Sequence, residues 1–361
     1  MIIKFAATKL NTIFKAICIL TLSAAFLIFS DECRGGALKG IELCIKILIP
    51  SLFPFMALSS FIADSGIFIF RGKTIDKIMK FLFGIPACFT PIILLSIIGG
   101  YPIGAKGISS LYSSSITDEK NCRKAALFAV CAGPGFLINF VGACIYSSTT
   151  IGWILFTSQF LSVIIIGIGI NIFSFKKNND YQSNTLKKTL TKPTISNSIV
   201  KAAYDSSKGM FNISAFVVLF SAFIGIIDSI MEEGVLKSCV LSLLEVCTAV
   251  ERISKDYCIE AVAFAIGFGG LCVHFQIFSA LSKIRINKLI FFSVRIIQGT
   301  ITALITHILL SIIPESKSVF STSSVKNFDI YGNNIFSVIA LIAVAICFLY
   351  SLKNIRQHTW R

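Results

Sequence analysis

Ile97-Ile98-Gly99-Gly100-Tyr101-Pro102-Ile103-Gly104-Ala105-Lys106 is the run whose reading decides the fold, because it breaks a helix between segments apolar enough to lie in a bilayer. Two adjacent glycines loosen the backbone and the Tyr-Pro step removes a donor, so a helix does not pass through unaltered. In hydrocarbon, the N–H and C=O groups freed by such a break must be satisfied by protein or by a water-lined cavity. The arms on either side, Ile85 to Ile98 and Ala105 to Ser115, are each shorter than the roughly 20 residues of a spanning helix. The expectation is a re-entrant hairpin or a broken helix. Lys106, just beyond the turn, either serves a site or snorkels to a surface on its long stem.

Working outward, the whole chain has the same character. Of 361 residues, 55% are hydrophobic and only 14% charged, where soluble proteins carry about a quarter charged residues. The fold class expected is all-α: a polytopic helical membrane protein. The net charge of +15 falls between apolar runs rather than on a soluble patch. That is the pattern of cytoplasmic loops beside anionic lipid, and it gives no reason to expect nucleic acid. The twelve cysteines are scattered through apolar stretches and the three histidines, His274, His307 and His358, stand far apart. No metal site, no cofactor motif and no nucleophile-and-base set emerges, so the expectation is not an enzyme.

Along the chain, residues 1–36 read as a membrane anchor helix, 37–175 as a first membrane repeat, 176–208 as a basic cytoplasmic linker, 209–352 as a second repeat, and 353–361 as a basic tail. Pro50 and Pro54 mark a kink or a fresh helix start. Arg71 to Phe83 reads as an amphipathic helix at the cytoplasmic interface. Gly133-Pro134-Gly135 interrupts the stretch from Ala125 to Tyr146, with Asn139 one turn later, whereas Ile151 to Phe175 spans without a break.

Aligned with one another, Gly99 to Lys106 and Gly269 to Gln276 share a glycine pair, a small-or-apolar run and a terminal polar residue. Two glycine-broken elements at matching places in two halves point to an internal repeat, read here as inverted, with two re-entrant hairpins around a mid-membrane site. The basic residues Lys283, Arg285 and Lys288 argue against full inversion, so the orientation of the second half stays open.

Gly100-Tyr101-Pro102-Ile103-Gly104-Ala105-Lys106 is the most specific of several motifs. With Pro50 to Phe55, Ala132-Gly133-Pro134-Gly135-Phe136, Leu244-Glu245-Val246 and Gly270 to Gln276, it resembles the YlbJ-type sporulation integral membrane proteins, which contain a nucleoside-recognition or Gate domain. The resemblance covers about Ile49 to Leu310. It implies an all-helical, multi-pass cell-membrane protein of the mother-cell or outer forespore membrane, needed for the spore cortex and without an established substrate. The partners it suggests are membrane lipid, a small solute and other sporulation membrane proteins.

The candidate substrate-binding residues are Gly100, Tyr101, Pro102, Gly104, Lys106, Asn139, Glu245, Gly270, His274 and Gln276. Lys106 and Glu245 are the sharpest pair, since opposite charges at membrane depth should find each other or a solute. His274 either faces that cavity or makes a helix-packing hydrogen bond. Arg295 pairs with lipid phosphate or with Glu260. Two function classes follow: a transporter-like protein moving or sensing a nucleoside-like or ionic solute, and a non-transporting scaffold for cortex-building enzymes.

Overall fold

The computed structural model describes residues 2–65, 73–175 and 195–313, and all of these belong to one compact unit. Among them every regular element is helical, as the composition demands. Helix α1 (Ile2–Ile28) is followed by α2 (Ser30–Leu43), which runs through a widened π turn, Cys44–Leu48, into α3 (Ile49–Ser65). Ser30–Ile62 is therefore one apolar span. A proline ring clashes with the carbonyl four residues back. For Pro50 that carbonyl belongs to Lys46, inside the π turn, where the wider turn relieves the clash. Regular α-helix starts afresh at Ile49, as expected from the kink or fresh start that Pro50 and Pro54 mark.

The expected domain boundary at residue 36 falls inside α2. Gly36 and Gly40 form a packing face against the long helix α9. A Cβ on Gly36 would run into the Ser221 carbonyl oxygen and approach the Gly225 Cα at 3.1 Å, and a Cβ on Gly40 would lie 2.8 Å from the Ser221 Cβ. Small residues four apart let two membrane helices approach to backbone contact.

Helix α4 (Lys73–Phe83) meets the following helical run at 88°, the angle a surface helix needs to lead into one that enters the bilayer. After a single 3₁₀ turn, Ala87–Phe89, α5 (Thr90–Gly99) and α6 (Tyr101–Ser113) are separated by Gly100 alone. Gly100 has φ 82°, a left-handed value that L side chains resist. The two helices fold back on each other: Gly107 on α6 lies against the Ile92 side chain on α5, whereas a straight helix would hold those residues roughly 22 Å apart. Helix α7 (Glu119–Phe128) then gives way to extended backbone over residues 129–133, followed by a π-helical segment, Gly135–Ile145, and the long α8 (Thr149–Phe175).

Helix α9 (Ile195–Ile230) begins inside the stretch expected as linker, so its residues 195–208 are helical, while 176–194 lie outside the described residues. Helices α10 (Val235–Leu244) and α11 (Val246–Asp256) form a second fold-back, with Glu245 in extended conformation at its apex. Arg252 on α11 donates to Asp228 at the end of α9 (2.7 Å) and to Glu233 ahead of α10 (3.2 Å), whereas nineteen residues of straight helix would measure roughly 28 Å. Helix α12 (Ile259–Phe268), Gly269 and α13 (Gly270–Ala280) follow, then α14 (Lys288–Ile312).

The order long helix, hairpin, interrupted helix, long helix thus occurs twice. This corrects the expected second hairpin: Ile259–Ala280 continues as one interrupted span of 22 residues, and the hairpin in the second half is α10–α11. In element order the counterpart of Gly269 is the break at residues 129–134, not Gly100. With the long helices at Ser30–Ile62, Thr149–Phe173, Ile195–Ile230 and Lys288–Ile312, five helices among the described residues are long and apolar enough to cross a membrane. The chain is a multi-pass helical membrane protein. The end of the expected second repeat, residues 314–352, and the basic tail lie outside the described residues.

The α2–α9 contact gives a paired prediction. Nothing lies within 4 Å of a Cβ built on Gly35, whereas Gly36 meets α9 backbone. Gly36→Ala should destabilise the purified protein by about 1–3 kcal/mol through overpacking. Gly35→Ala should be neutral or slightly stabilising, by up to about 1 kcal/mol of helix propensity. Thermal melting in detergent measures both.

Candidate functional site: four interruptions around one cavity

The four interrupted places in the fold meet. Gly99, Gly100 and Tyr101 from the first hairpin, Ala132 and Gly133 from the extended run, Glu245 to Cys247 from the second hairpin, and Cys272, Val273 and Gln276 from α13 line one cavity. Its floor is apolar, including Leu52, Met56 and Val217. The space open to the centre of a water-sized sphere is about 50 Å³. A single water needs roughly 10–15 Å³ by that measure, so a few waters or one small ion fit.

Each interruption frees backbone groups, and several of these find side-chain partners inside the protein. At Gly269 (φ 89°) the last carbonyls of α12 lose their helical acceptor role. The Tyr101 hydroxyl, from the first hairpin, donates to the Ile266 carbonyl at 2.7 Å. His274 Nε2 donates to the Phe268 carbonyl at 2.8 Å, which fixes the proton on Nε2. At the second apex the Glu245 carboxylate, 1% exposed, accepts from the backbone N–H groups of Cys247 (2.9 Å) and Thr248 (2.7 Å). It therefore caps α11 and favourably meets the positive end of that helix. In the extended run, Val130 offers its carbonyl to Arg295 Nη1 on α14 at 2.6 Å. Gly100 and Gly133 approach at backbone contact, a Cβ on Gly133 lying 2.9 Å from the Gly100 nitrogen.

The open end of the α10–α11 hairpin is held by ions. Lys237 bonds Glu233 at 2.8 Å and Asp228 at 3.3 Å, while Arg252 bridges the same two carboxylates. The hydrogen bond from Lys237, with the charges of Arg252 and Lys237 beside it, holds the Glu233 carboxyl below its usual range. A lowered carboxylate pKa means that this support is present above the unfolded carboxylate range and is lost as pH falls through the folded value.

Of the ten residues expected at the site, Gly100, Tyr101, Glu245 and Gln276 line the cavity. Pro102 is the second residue of α6. Gly104 is packed shut: a Cβ there would strike Ser96 Oγ and the Ala129 carbonyl. Gly270 packs on the backbone of the second apex, where a Cβ would lie 3.3 Å from the Leu244 carbonyl and from the Val246 nitrogen. His274 is 1% exposed and sits edge-on to Phe268, Phe291 and Phe292, so its role is the helix-packing one. Asn139 is exposed on the π-helical segment.

The expected Lys106–Glu245 pair is not made. Lys106 Nζ lies against Gly209 on α9, where a Cβ would come within 2.8 Å of it, and Glu245 is engaged by α11 backbone. The expected Arg295–Glu260 pair is not made either, because Glu260 accepts from His307 Nδ1 at 2.8 Å.

Sequence reading missed a buried polar chain beside the cavity. Arg295 Nη1 also donates to Gln298 Oε1 (2.6 Å), the Thr302 hydroxyl bonds the Gln298 carbonyl (2.8 Å) and approaches Gln159 Oε1 (3.2 Å), and Gln159 comes from the middle of α8. The signal was present, since a glutamine inside an unbroken apolar span calls for a partner.

Over 343 residues, 84% of this chain and 83% of the relative, the sequence is 21% identical to the sporulation integral membrane protein YlbJ of Bacillus subtilis (strain 168). No family model matches the chain. No solved structure matches it. The chain is a distant relative of a sporulation integral membrane protein.

Tyr101→Phe keeps the ring and removes the donor to Ile266, leaving a buried carbonyl unpaired. A loss of about 1–3 kcal/mol is expected, read as a lowered melting temperature. Glu245→Ala removes the α11 cap and should cost about 0.5–2 kcal/mol, whereas Asn139→Ala, at an exposed position, should be silent in the same melt.

Proposed function

We propose that this protein acts in sporulation by moving or sensing a small solute across the membrane around the developing spore, and that the cavity at the four interruptions is its solute site. The observation that carries the reading is the convergence itself. Broken helices and hairpins are tolerated at membrane depth only where they are buried in protein or line a cavity, and transporters place their substrate sites at such breaks. A protein serving only as an anchor for cortex-building enzymes has no need of a wet interior.

The volume narrows the solute. Pockets that take drug-sized ligands measure about 300–1,000 Å³, so a nucleoside does not fit a cavity of about 50 Å³ in this conformation. An ion-sized solute does. For a nucleoside, the α5–α6 and α10–α11 hairpins would have to part, and the Gly100–Gly133 contact would have to open. The lining is mainly apolar, with Glu245, Gln276 and the thiols of Cys247 and Cys272 as its polar features. On this reading the hairpins re-enter the membrane rather than cross it.

The test is water accessibility. With all twelve native cysteines replaced, single cysteines at Ala132 or Ile213, both on the cavity wall, should react with a membrane-impermeant thiol reagent in cells. A cysteine at the outward-facing Leu304 should not. Protection of Ala132→Cys and Ile213→Cys equal to that of Leu304→Cys would overturn the transporter reading in favour of a scaffold. The glycines at 104 and 270 are unsuitable reporters, because neither has room for a side chain without strain.

A further inference from the structure

Arg295 is 1% exposed and, among the described residues, the largest side chain fully enclosed. It lies in the second turn of a span, α14, yet among the described residues no carboxylate is within ion-pair distance of it. Its Nη1 is used twice, by Val130 and Gln298, and the face of Phe291 lies 4.9 Å from its central carbon. Nε and Nη2 have no partner. These two atoms form one edge of the guanidinium, with parallel N–H groups spaced to grip an acceptor from two sides.

The neighbours add donors rather than acceptors. Gln298 uses its oxygen on Arg295, and its Nε2 has no partner; Gln159 accepts from Thr302 through its oxygen, and its Nε2 has none either. On Arg295, Gln298 and Gln159, then, every unpartnered buried group is a donor. Arginine does not lose its proton to escape the problem. A buried charge left unpaired is among the costliest features a protein can carry, more so in a membrane interior.

We infer that the unpartnered edge of Arg295, with the amide of Gln298, binds a small inorganic anion inside the membrane domain, between α14, α8 and the extended run at residues 129–133. Three features set its class. The site offers donors only, so the ligand presents acceptors. One guanidinium supplies the charge, so the ligand is monovalent. The enclosure leaves no path for a lipid headgroup, so the ligand is of halide or nitrate size. Its place follows from the fold, because Arg295 also holds Val130 beside Ala132 and Gly133 of the cavity wall, so anion occupancy and the shape of that wall are linked. The site stands apart from the cavity and does not depend on what the cavity carries. His274 Nδ1 is an unpartnered acceptor in the same core; as a neutral imidazole nitrogen it would relieve a donor but not the charge.

The purified full-length protein, exchanged into gluconate and titrated with chloride at constant ionic strength, should show a saturable rise in melting temperature and bind about one radiolabelled chloride per chain, displaceable by bromide or nitrate. Arg295→Gln should abolish both effects. If that variant does not accumulate, Gln298→Leu, which keeps the charge but removes the amide donor together with the oxygen that accepts from Arg295 Nη1, should weaken chloride binding several-fold. Absence of chloride-specific binding by the wild-type protein overturns the inference and leaves the edge to water or to His274. Undiminished binding in either variant overturns it as well, by placing the anion elsewhere.

Discussion

A polypeptide that interrupts its helices inside a membrane has to satisfy every freed backbone group from its own side chains, and in this protein that constraint organises the interior. Tyr101 serves the Ile266 carbonyl, His274 the Phe268 carbonyl, Glu245 the first N–H groups of α11, and Arg295 the Val130 carbonyl. Two of these bonds join different halves of the chain, since Tyr101 and Val130 belong to the first and Ile266 and Arg295 to the second. The breaks are thus mutually dependent. The cavity exists because the places where helices stop are the places where the halves meet, and closing one break by mutation would leave another unpaired.

Much of this was legible in the residues, though for differing reasons. Gly100 and Gly269 announce themselves because only glycine takes their backbone angles without strain, and both proved to be interruptions. The apex at Glu245 carries neither glycine nor proline. Its turn is made by an extended residue whose carboxylate caps the next helix, a local hydrogen bond that composition does not reveal. Glu245 was accordingly singled out as a charge in search of a partner, when its partners were the amides two and three residues further on. Matching the two halves by their glycine pairs placed the second hairpin one element too late. The order of elements, not the wording of one motif, carries the correspondence.

Other misreadings share one cause: small or breaking residues have meanings that depend on what packs against them. Gly35-Gly36 looked like a boundary, yet Gly36 is where α2 touches α9. Lys106 looked like half of an ion pair, yet it lies along α9 beside Gly209. One set of charges that does pair, Lys237 and Arg252 with Asp228 and Glu233, closes the far end of a hairpin the residues had not disclosed. Long-range partners of this kind are set by folding back, which periodicity along the chain does not encode.

The most direct measurement is an electron cryo-microscopy structure of the full-length protein in a lipid nanodisc, read for the depth of Gly100, Glu245 and Gly269 relative to the headgroup density. All three are expected within the hydrocarbon layer, with the Tyr101 hydroxyl on the Ile266 carbonyl. An apex of either hairpin at the headgroups, or Tyr101 turned away from Ile266, would contradict the account.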